Sequence, residues 1–294
     1  MRKLITATLA ALLALTLVGC SSDTVAYLDS SRPTDQRVDD LISRMTLDDK
    51  LGQMTQIEER SVLAGDVAAL GLGSVLHGGG TQGSGGPDSW LAAVTAHQRA
   101  AVEDTLLGIP IIYGVDTMHG FGSMRGATVF PHQIGLGAAN DPDLVERIGR
   151  ATAEETAAVG IRWTFSPVLA IPSDVRWGRT YEAYSQDPAI VASLGVAYIR
   201  GLQGDDLTAS DSIIATAKHF VGDGSTTYGS STQFIEQQYL LDQGNTPNDP
   251  ALLRDVLLPP YQAAIDAGAQ SVMISFSSWG GVKVHGHHGL VTDT

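Results

Sequence analysis

The sequence is poor in cysteine and in positive charge. Cys20 is the single cysteine among 294 residues, so the chain cannot form an internal disulfide and must be stabilised by packing. The 32 acidic side chains outnumber the 18 lysines and arginines, which gives a formal net charge of -14. Such an acidic excess repels phosphate backbones, so nucleic acid is excluded as the expected partner.

The sequence also has no apolar run of comfortable membrane-spanning length at its N-terminus. The uncharged stretch from Leu4 to Val18 follows Arg2 and Lys3 and is shorter than the roughly 20 residues of a transmembrane helix. A basic start, a short apolar run and small residues are typical of a secretory signal peptide. A transmembrane helix is the alternative interpretation of this segment.

The end of the apolar run, LVGC, resembles a bacterial lipobox, in which the cysteine becomes the lipidated first residue. We therefore expect a lipoprotein signal peptide over residues 1–19, a tether over residues 20–32 and one domain over residues 33–294. The predicted protein is exported and anchored through a lipid on Cys20 to the periplasmic or cell-surface face of a bacterial membrane. An ordinary signal peptide with a chance cysteine is the alternative.

Helical and extended patterns alternate along the rest of the chain, which favours an α/β fold with a mostly parallel sheet. Asp141, Asp187 and Asp249 each precede a proline, as N-capping residues do, and Gly160 and Gly201 are the expected ends of the first two helices. Six short apolar runs predict buried strands. They are Gln53 to Ile57, Gly73 to Leu76, Ile111 to Val115, Trp163 to Leu169, Ile213 to Phe220 and Ser271 to Phe276.

Ionisable residues follow or end several of these runs. Asp116 comes directly after one run, and Lys218 and His219 lie near the end of another. In a (β/α)8 barrel the carboxyl ends of the strands form the active-site face, so these residues are candidates for a site. Taken singly, an aspartate at a strand end can be a helix cap, and a lysine there can extend its charge to solvent.

The segment DVRWGRTYEAYSQDP over residues 174–188 combines Arg176 and Arg179 with Asp174, Glu182 and aromatic rings. Planar donors beside aromatic faces suit a ligand rich in hydroxyl groups, such as a sugar. A surface cluster of ion pairs is the alternative interpretation.

Five motifs in this order resemble glycoside hydrolase family 3, in its β-glucosidase and exo-β-glucanase branch. They are GVDTMHG, GATVFPHQIGLGA, RWGRTYEAYSQDP, AKHFVGDGST and SVMISFSSWGGVKVHG. The resemblance implies a TIM-like (β/α)8 barrel, here incomplete with about six of eight strands. It also implies that Asp116 holds the outer hydroxyls of a glucosyl ring, while Arg179, Lys218 and His219 hold the hydroxyls nearer the cleaved bond.

The resemblance implies retaining hydrolysis, in which one carboxylate attacks the anomeric carbon and another protonates the leaving oxygen. The family carries the nucleophilic aspartate on the strand after SVMISFSSW and the acid/base glutamate in a following domain. Both are expected beyond Thr294, so we predict that this chain is the N-terminal part of a longer enzyme and is inactive alone.

The expected function is the release of terminal glucose from β-glucosides or β-glucan oligosaccharides, with no metal or cofactor. A non-catalytic sugar-binding lipoprotein is the main alternative. A metal-dependent hydrolase is a third, because HGHHG over residues 285–289 is rich in histidine. An extra stretch, Ser230 to Leu241, precedes a DQGN sequence and is expected to shape the outer part of the site.

Overall fold

The computed structural model describes residues 25–78, 85–231 and 240–294, in which helices alternate with short strands. The α-helices are α1 (Thr34–Arg44), α2 (Leu47–Gln53), α3 (Ala64–Leu70), α4 (Pro87–Glu103), α5 (Gln133–Ala139), α6 (Pro142–Ala157), α7 (Pro188–Gln203), α8 (Pro250–Leu252) and α9 (Pro259–Asp266). The strands are β1 (Gln56–Glu58), β2 (Ser74–His77), β3 (Ile112–Val115), β4 (Trp163–Thr164), β5 (Thr216–Phe220), β6 (Asn245–Thr246), β7 (Ser271–Ile274), β8 (Ser278–Trp279) and β9 (Val282–Lys283).

The chain divides into two compact units, Met1–Thr46 and Leu47–Thr294. The described part of the first unit contains α1 and a short turn over Ala26–Leu28. The carboxylate of Asp40 accepts hydrogen bonds from the backbone N–H of Tyr27 and from Arg44, which joins the turn to the helix. The tether and domain boundaries at residues 20 and 33 stay predictions.

The second unit is built on parallel strands in the order in which they occur along the chain. Strands β1 to β4 form one parallel sheet, and β5 pairs in parallel with β7. The backbone continues the array from β4 to β5, because Thr164 N donates to Ile214 O at 2.9 Å and Thr216 N donates to Ser166 O at 2.9 Å. The six predicted parallel strands are therefore confirmed, and within the described residues β1 and β7 each pair with one strand of this array.

Several strand boundaries differ from the prediction, and those at Gln53 and Leu169 have a clear physical reason. Gln53 is the last residue of α2 rather than the first of a strand, since Thr55 N still donates to Gly52 O and β1 begins at Gln56. The regular ladder of β4 ends at Thr164, although an extended strand was expected to Leu169. Pro167 interrupts that ladder, because proline has no N–H to donate.

The predicted helix starts are confirmed by their caps. The carboxylates of Asp141, Asp187 and Asp249 each accept a hydrogen bond from a backbone N–H in the first turn of α6, α7 and α8. Gly160 follows the end of α6 with φ +84°. The prediction for Gly201 is wrong, because α7 continues to Gln203 and ends at Gly204, which has φ +60°.

Gly201 instead allows two helices to cross closely. A Cβ at this position would collide with the carbonyl oxygen of Glu146, and one at Gly149 would lie 2.7 Å from the carbonyl oxygen of Tyr198. The two glycines therefore face each other where α6 packs on α7. A helix-ending glycine and a helix-packing glycine look alike in a single sequence, which explains the error.

Strands β6, β8 and β9 form a small separate sheet that periodicity does not predict. Each has only two residues. The hairpin between β8 and β9 turns through Gly280 and Gly281, both with positive φ, as a two-residue turn of this kind requires. The Gly-Gly pair was the available sequence signal for it.

Buried apolar residues form separate clusters around the parallel array. One lies between α6, α7 and β5 and includes Leu194, Tyr198 and Ile213, and a second lies around β2, β3 and α4. A third, centred on Trp177, lies under the loop that follows β5, where a Cβ on Gly224 would come within 2.9 Å of the indole ring. Within the described residues, no helix has the length and apolar character needed to cross a membrane.

Candidate active site

The candidate residues collect at the carboxyl ends of neighbouring strands. Asp116 follows β3 directly, Lys218 and His219 lie in β5, and Arg179 lies in the long segment after β4. Parallel strands place their carboxyl ends along one edge of the sheet, so residues far apart in sequence meet there. We call Asp116, Arg179, Glu182, Lys218, His219 and Asp223 the edge cluster.

Asp116 and Lys218 form an ion pair across the sheet. The Nζ of Lys218 donates to Oδ1 of Asp116 at 2.8 Å, and the lysine side chain is only 4% exposed against 28% for the aspartate. A buried ammonium group must be paired, and this carboxylate supplies its counter-charge. The alternative of a lysine that reaches to solvent is therefore wrong. The helix-cap alternative for Asp116 also fails, because α5 begins later, after His132.

A bulge in β5 allows adjacent side chains to join the same cluster. Neighbouring residues of a regular strand point to opposite faces. Here the pairing of β5 with β7 shifts register between Lys218 and Phe220, which leaves His219 out of the ladder. Lys218 then reaches Asp116 while His219 reaches Asp223, and both side chains stay buried.

His219 lies beside a carboxylate in the loop after β5. Its Nδ1 lies 2.7 Å from Oδ2 of Asp223, and both side chains are buried. Burial lowers the pKa of the imidazole, and the charges of Arg179 and Lys218 lower it further, against the opposing effect of Asp223. The net direction is downward, which favours the neutral ring at neutral pH.

Arg179 is held by a two-pronged ion pair. Its Nε and Nη2 donate to the two carboxylate oxygens of Glu182 at 2.7 and 2.6 Å. Burial lowers the pKa of the guanidinium, but the bonds to Glu182 and the charges of Asp223 and Asp242 raise it by more, so the net direction is upward. Glu182 is nearly buried, so the surface-ion-pair interpretation is wrong for this pair.

Asp242 is a further acidic group beside the edge cluster, in the DQGN sequence. Burial raises the pKa of its carboxyl, the charge of Asp223 raises it too, and Arg179 acts in the opposite direction. The DQGN sequence alone does not predict this carboxyl as part of the site. Asp242 comes close to Asp223 and Arg179 only in the folded chain, so sequence spacing could not predict its place beside the edge cluster.

Two histidines of the motifs also meet, which sequence reasoning missed. The rings of His119 and His132 lie 4.1 Å apart between centroids, and the ring of His132 lies 4.7 Å from that of Tyr181. Burial lowers the pKa of His132, as does the neighbouring His119, while Glu182 opposes the shift. These rings pack beside the segment that carries Arg179.

No cluster of metal ligands is found in the described residues. Within residues 25–78, 85–231 and 240–294, no group of three or more histidine, cysteine, aspartate or glutamate side chains could hold a metal ion. In HGHHG, the Nδ1 of His288 lies 3.2 Å from the exposed carboxylate of Asp293.

Comparison with known proteins assigns the family. Residues 46–294 match the family model described as the glycosyl hydrolase family 3 N terminal domain. The chain belongs to glycosyl hydrolase family 3. The resemblance stated from the five motifs is thereby confirmed.

The relatives of this glycosyl hydrolase family 3 chain include named β-glucosidases. It is 30% identical over 285 residues to a lysosomal beta glucosidase of Dictyostelium discoideum, covering 88% of this chain and 33% of that protein. It is 26% identical to a periplasmic beta-glucosidase of Salmonella typhimurium, covering 88% and 31%. The chain thus spans about a third of the length of these relatives.

Solved structures of the family share the fold. An exo-1,3/1,4-beta-glucanase from a Pseudoalteromonas species, solved as its Q683A mutant, superposes with a TM-score of 0.80 at 43% identity, over 88% of this chain and 42% of that one. A beta-glucosidase from Listeria innocua in complex with isofagomine gives 0.73 at 29% identity, over 88% and 34%. The predicted TIM-like α/β fold is confirmed by the family match and the parallel array.

The signal peptide and Cys20 lie outside the described residues, as do residues 232–239 of the extra stretch. Their roles stay predictions.

The downward pKa shift of His219 predicts a loss of stability in acid. Between its pKa in the folded state and about 6.5, the unfolded chain binds more protons, so the free energy of unfolding falls as pH drops from 7 to 5. His219→Gln should flatten this dependence by at most about 1.4 kcal/mol per pH unit. Urea unfolding at several pH values measures it.

Part of the slope should remain in that variant, because burial also lowers the pKa of His77 and of His132. His288→Gln, at a 77% exposed side chain, is the matched control and should retain the parent slope. An unaltered slope in His219→Gln would contradict the assignment.

Proposed function

We propose that the protein hydrolyses terminal non-reducing β-D-glucosyl residues of β-glucosides or β-glucan oligosaccharides by a retaining mechanism. This chain supplies the sugar-binding part of the site. The observation that carries the proposal is the edge cluster, in which Asp116 is paired to buried Lys218, Glu182 is paired to Arg179 and Asp223 lies beside His219. Its family membership and the names of its relatives support the hydrolase class.

The charge arrangement suits a neutral ligand with many hydroxyl groups. A carboxylate has about four lone-pair positions, so Asp116 can accept from sugar hydroxyls while it also accepts from Lys218. Asp116 is the more exposed member of its pair, with 28% of its side chain exposed against 4% for Lys218. In the proposed binding mode it holds the outer hydroxyls, and Arg179, Lys218 and His219 hold those nearer the cleaved bond.

We propose further that the two catalytic carboxylates lie outside this chain. Retaining hydrolysis needs a nucleophile and an acid/base about 5 to 5.5 Å apart. Within the edge cluster, Asp116, Glu182 and Asp223 each lie beside a basic side chain at 2.6 to 2.8 Å, so each is suited to positioning. An aspartate nucleophile and a glutamate acid/base from other segments of the protein would complete the site.

A non-catalytic sugar-binding lipoprotein is the second candidate. The same pairing of each cluster carboxylate favours it, because a binding site needs positioned hydroxyl partners and no free nucleophile. The two candidates share the sugar contacts and differ only in whether a carboxylate attacks the anomeric carbon. Covalent trapping separates them.

Removal of a sugar-binding group should reduce activity in variants that remain folded. In the full-length product of the gene, Asp116→Ala and Lys218→Ala should each lower kcat/KM, because a charged hydrogen-bond partner of the sugar is lost. The loss should correspond to a rise of about 2 to 4 kcal/mol in the activation free energy. Kinetics on aryl β-glucosides measure the effect, and circular dichroism checks folding.

Lys218→Met keeps the apolar stem in the core and should behave like Lys218→Ala toward substrate. Asp255→Ala, which removes an exposed partner of Arg254, is the control and should leave kcat/KM unchanged. If kcat/KM survives in Asp116→Ala, that residue does not hold the sugar.

A fluorosugar should identify the nucleophile. With a 2-deoxy-2-fluoroglucoside that carries a good leaving group, the full-length gene product should form a stable glycosyl-enzyme adduct, because fluorine slows its hydrolysis. Peptide mass spectrometry should place the label on an aspartate outside residues 1–294, and residues 20–294 expressed alone should show no turnover. A label on a carboxylate of this chain would contradict the proposal that the catalytic carboxylates lie outside it. If the full-length product shows neither label nor turnover, the sugar-binding lipoprotein is favoured.

We also propose export and attachment to a bacterial membrane through a lipid on Cys20. The lipobox-like sequence at the end of the apolar run supports this placement. In the native host, radioactive palmitate should label the protein, and Cys20→Ala should abolish the label and release the protein from the membrane fraction. Cys20→Ser, which also lacks the thiol, should behave alike. Persistent labelling of either variant would contradict the lipid site.

A further inference from the structure

An exposed aromatic ring lies in the loop after β5. Tyr228 is 51% exposed, although a ring of this size gains free energy when its faces are covered. The guanidinium carbon of Arg176 lies 3.9 Å from the ring centroid, which places a flat cation over the tyrosine. We call Tyr228, Arg176 and Asp174 the tyrosine platform.

Arg176 is oriented on the ring by an ion pair. Its Nε donates to the carboxylate of Asp174 at 3.0 Å, and its Nη2 donates to the same carboxylate at 2.5 Å. A guanidinium held by two parallel bonds keeps its plane, because both forks of the pair must stay aligned. The guanidinium therefore stacks on the tyrosine ring in a defined orientation.

The backbone on both sides of Tyr228 is also fixed. Thr227 N donates to Asn245 O at 2.9 Å, and Gly229 N donates to Leu240 O at 3.1 Å. These bonds hold the tyrosine between two anchored neighbours. A ligand that stacks on this ring would find it already ordered, so little conformational entropy is lost on binding.

The tyrosine platform belongs to the same loops as the edge cluster. Arg176 shares the segment after β4 with Arg179, and Tyr228 shares the loop after β5 with Asp223. Two hydrogen bonds join these loops directly, since Ser173 N donates to Gly224 O at 2.9 Å and Ser225 Oγ donates to Ile171 O at 2.7 Å. The platform thus lies on the two hydrogen-bonded loops that also carry Arg179 and Asp223 of the edge cluster.

We propose that Tyr228, backed by Arg176, stacks on a second sugar ring of a β-linked glucose oligosaccharide whose first ring occupies the edge cluster. A β-glucosyl unit presents apolar C–H faces and a rim of equatorial hydroxyls. The face of the tyrosine ring suits the apolar C–H faces of the sugar, and the polar groups of Arg176 and Asp174 suit its hydroxyls. This inference rests on the proposed function and adds the ligand class that would contact the outer loops.

Binding of sugars of different length tests the proposal. The full-length gene product is titrated calorimetrically with glucose and with sulfur-linked β-1,3- and β-1,4-glucose disaccharides, which resist hydrolysis. Tyr228→Ala should weaken binding of at least one disaccharide by about fivefold to tenfold, because a stacked ring contact is lost, and should leave glucose binding unchanged. Tyr228→Phe keeps the ring and should bind each sugar like the parent.

Each outcome bears on the proposal. A disaccharide that binds Tyr228→Ala as tightly as the parent, for both linkages, overturns it. Equal weakening of glucose and disaccharide also overturns it, because the ring would then act on the first sugar or on the fold. If the parent binds the disaccharides but not through Tyr228, the proposed function stands and only the platform fails. If the parent binds none of the sugars, both fail.

Discussion

The burial of basic side chains at a sheet edge is the constraint on which this site depends. Lys218 is almost fully buried, and an ammonium group removed from water is costly unless a carboxylate lies beside it. Asp116 fulfils that need from a different strand, so the pair fixes the relation of β3 to β5 as well as its own geometry. Arg179, which is partly exposed, pairs with the nearly buried Glu182, and the ring of His219 lies 2.7 Å from the carboxylate of Asp223.

Charge pairing within the edge cluster explains why a neutral ligand fits it. Lys218 and Arg179 already have carboxylate partners, so a ligand does not have to supply a counter-charge and displaces only water. Its hydroxyls can donate to the carboxylates and accept from the basic groups at the same time. Because the ion pairs hold the side chains in place before binding, few rotamers are lost when the ligand arrives.

The sequence predicted the parts of this arrangement that depend on local pattern. The capping aspartates, the parallel strands and the four candidate residues Asp116, Arg179, Lys218 and His219 all follow from motifs or periodicity, and the structure brings those four together. Their partners could not be predicted in the same way. Asp116 and Lys218 are 102 positions apart, and their contact depends on strand register. The bulge at His219 likewise depends on the pairing with β7.

The glycines show why a local sequence pattern does not determine the role of every residue. Gly204 ends α7 with positive φ, whereas Gly201 lies inside the helix where α6 packs closely, and the sequence gives no basis for choosing between them. Gly224 combines both properties, since it has φ +80° and lies against the ring of Trp177. A side chain there would push the loop away from the indole. That loop carries Asp223, which lies beside His219, and Tyr228, so the surroundings of His219 and the proposed contact to the second sugar both depend on one residue without a side chain.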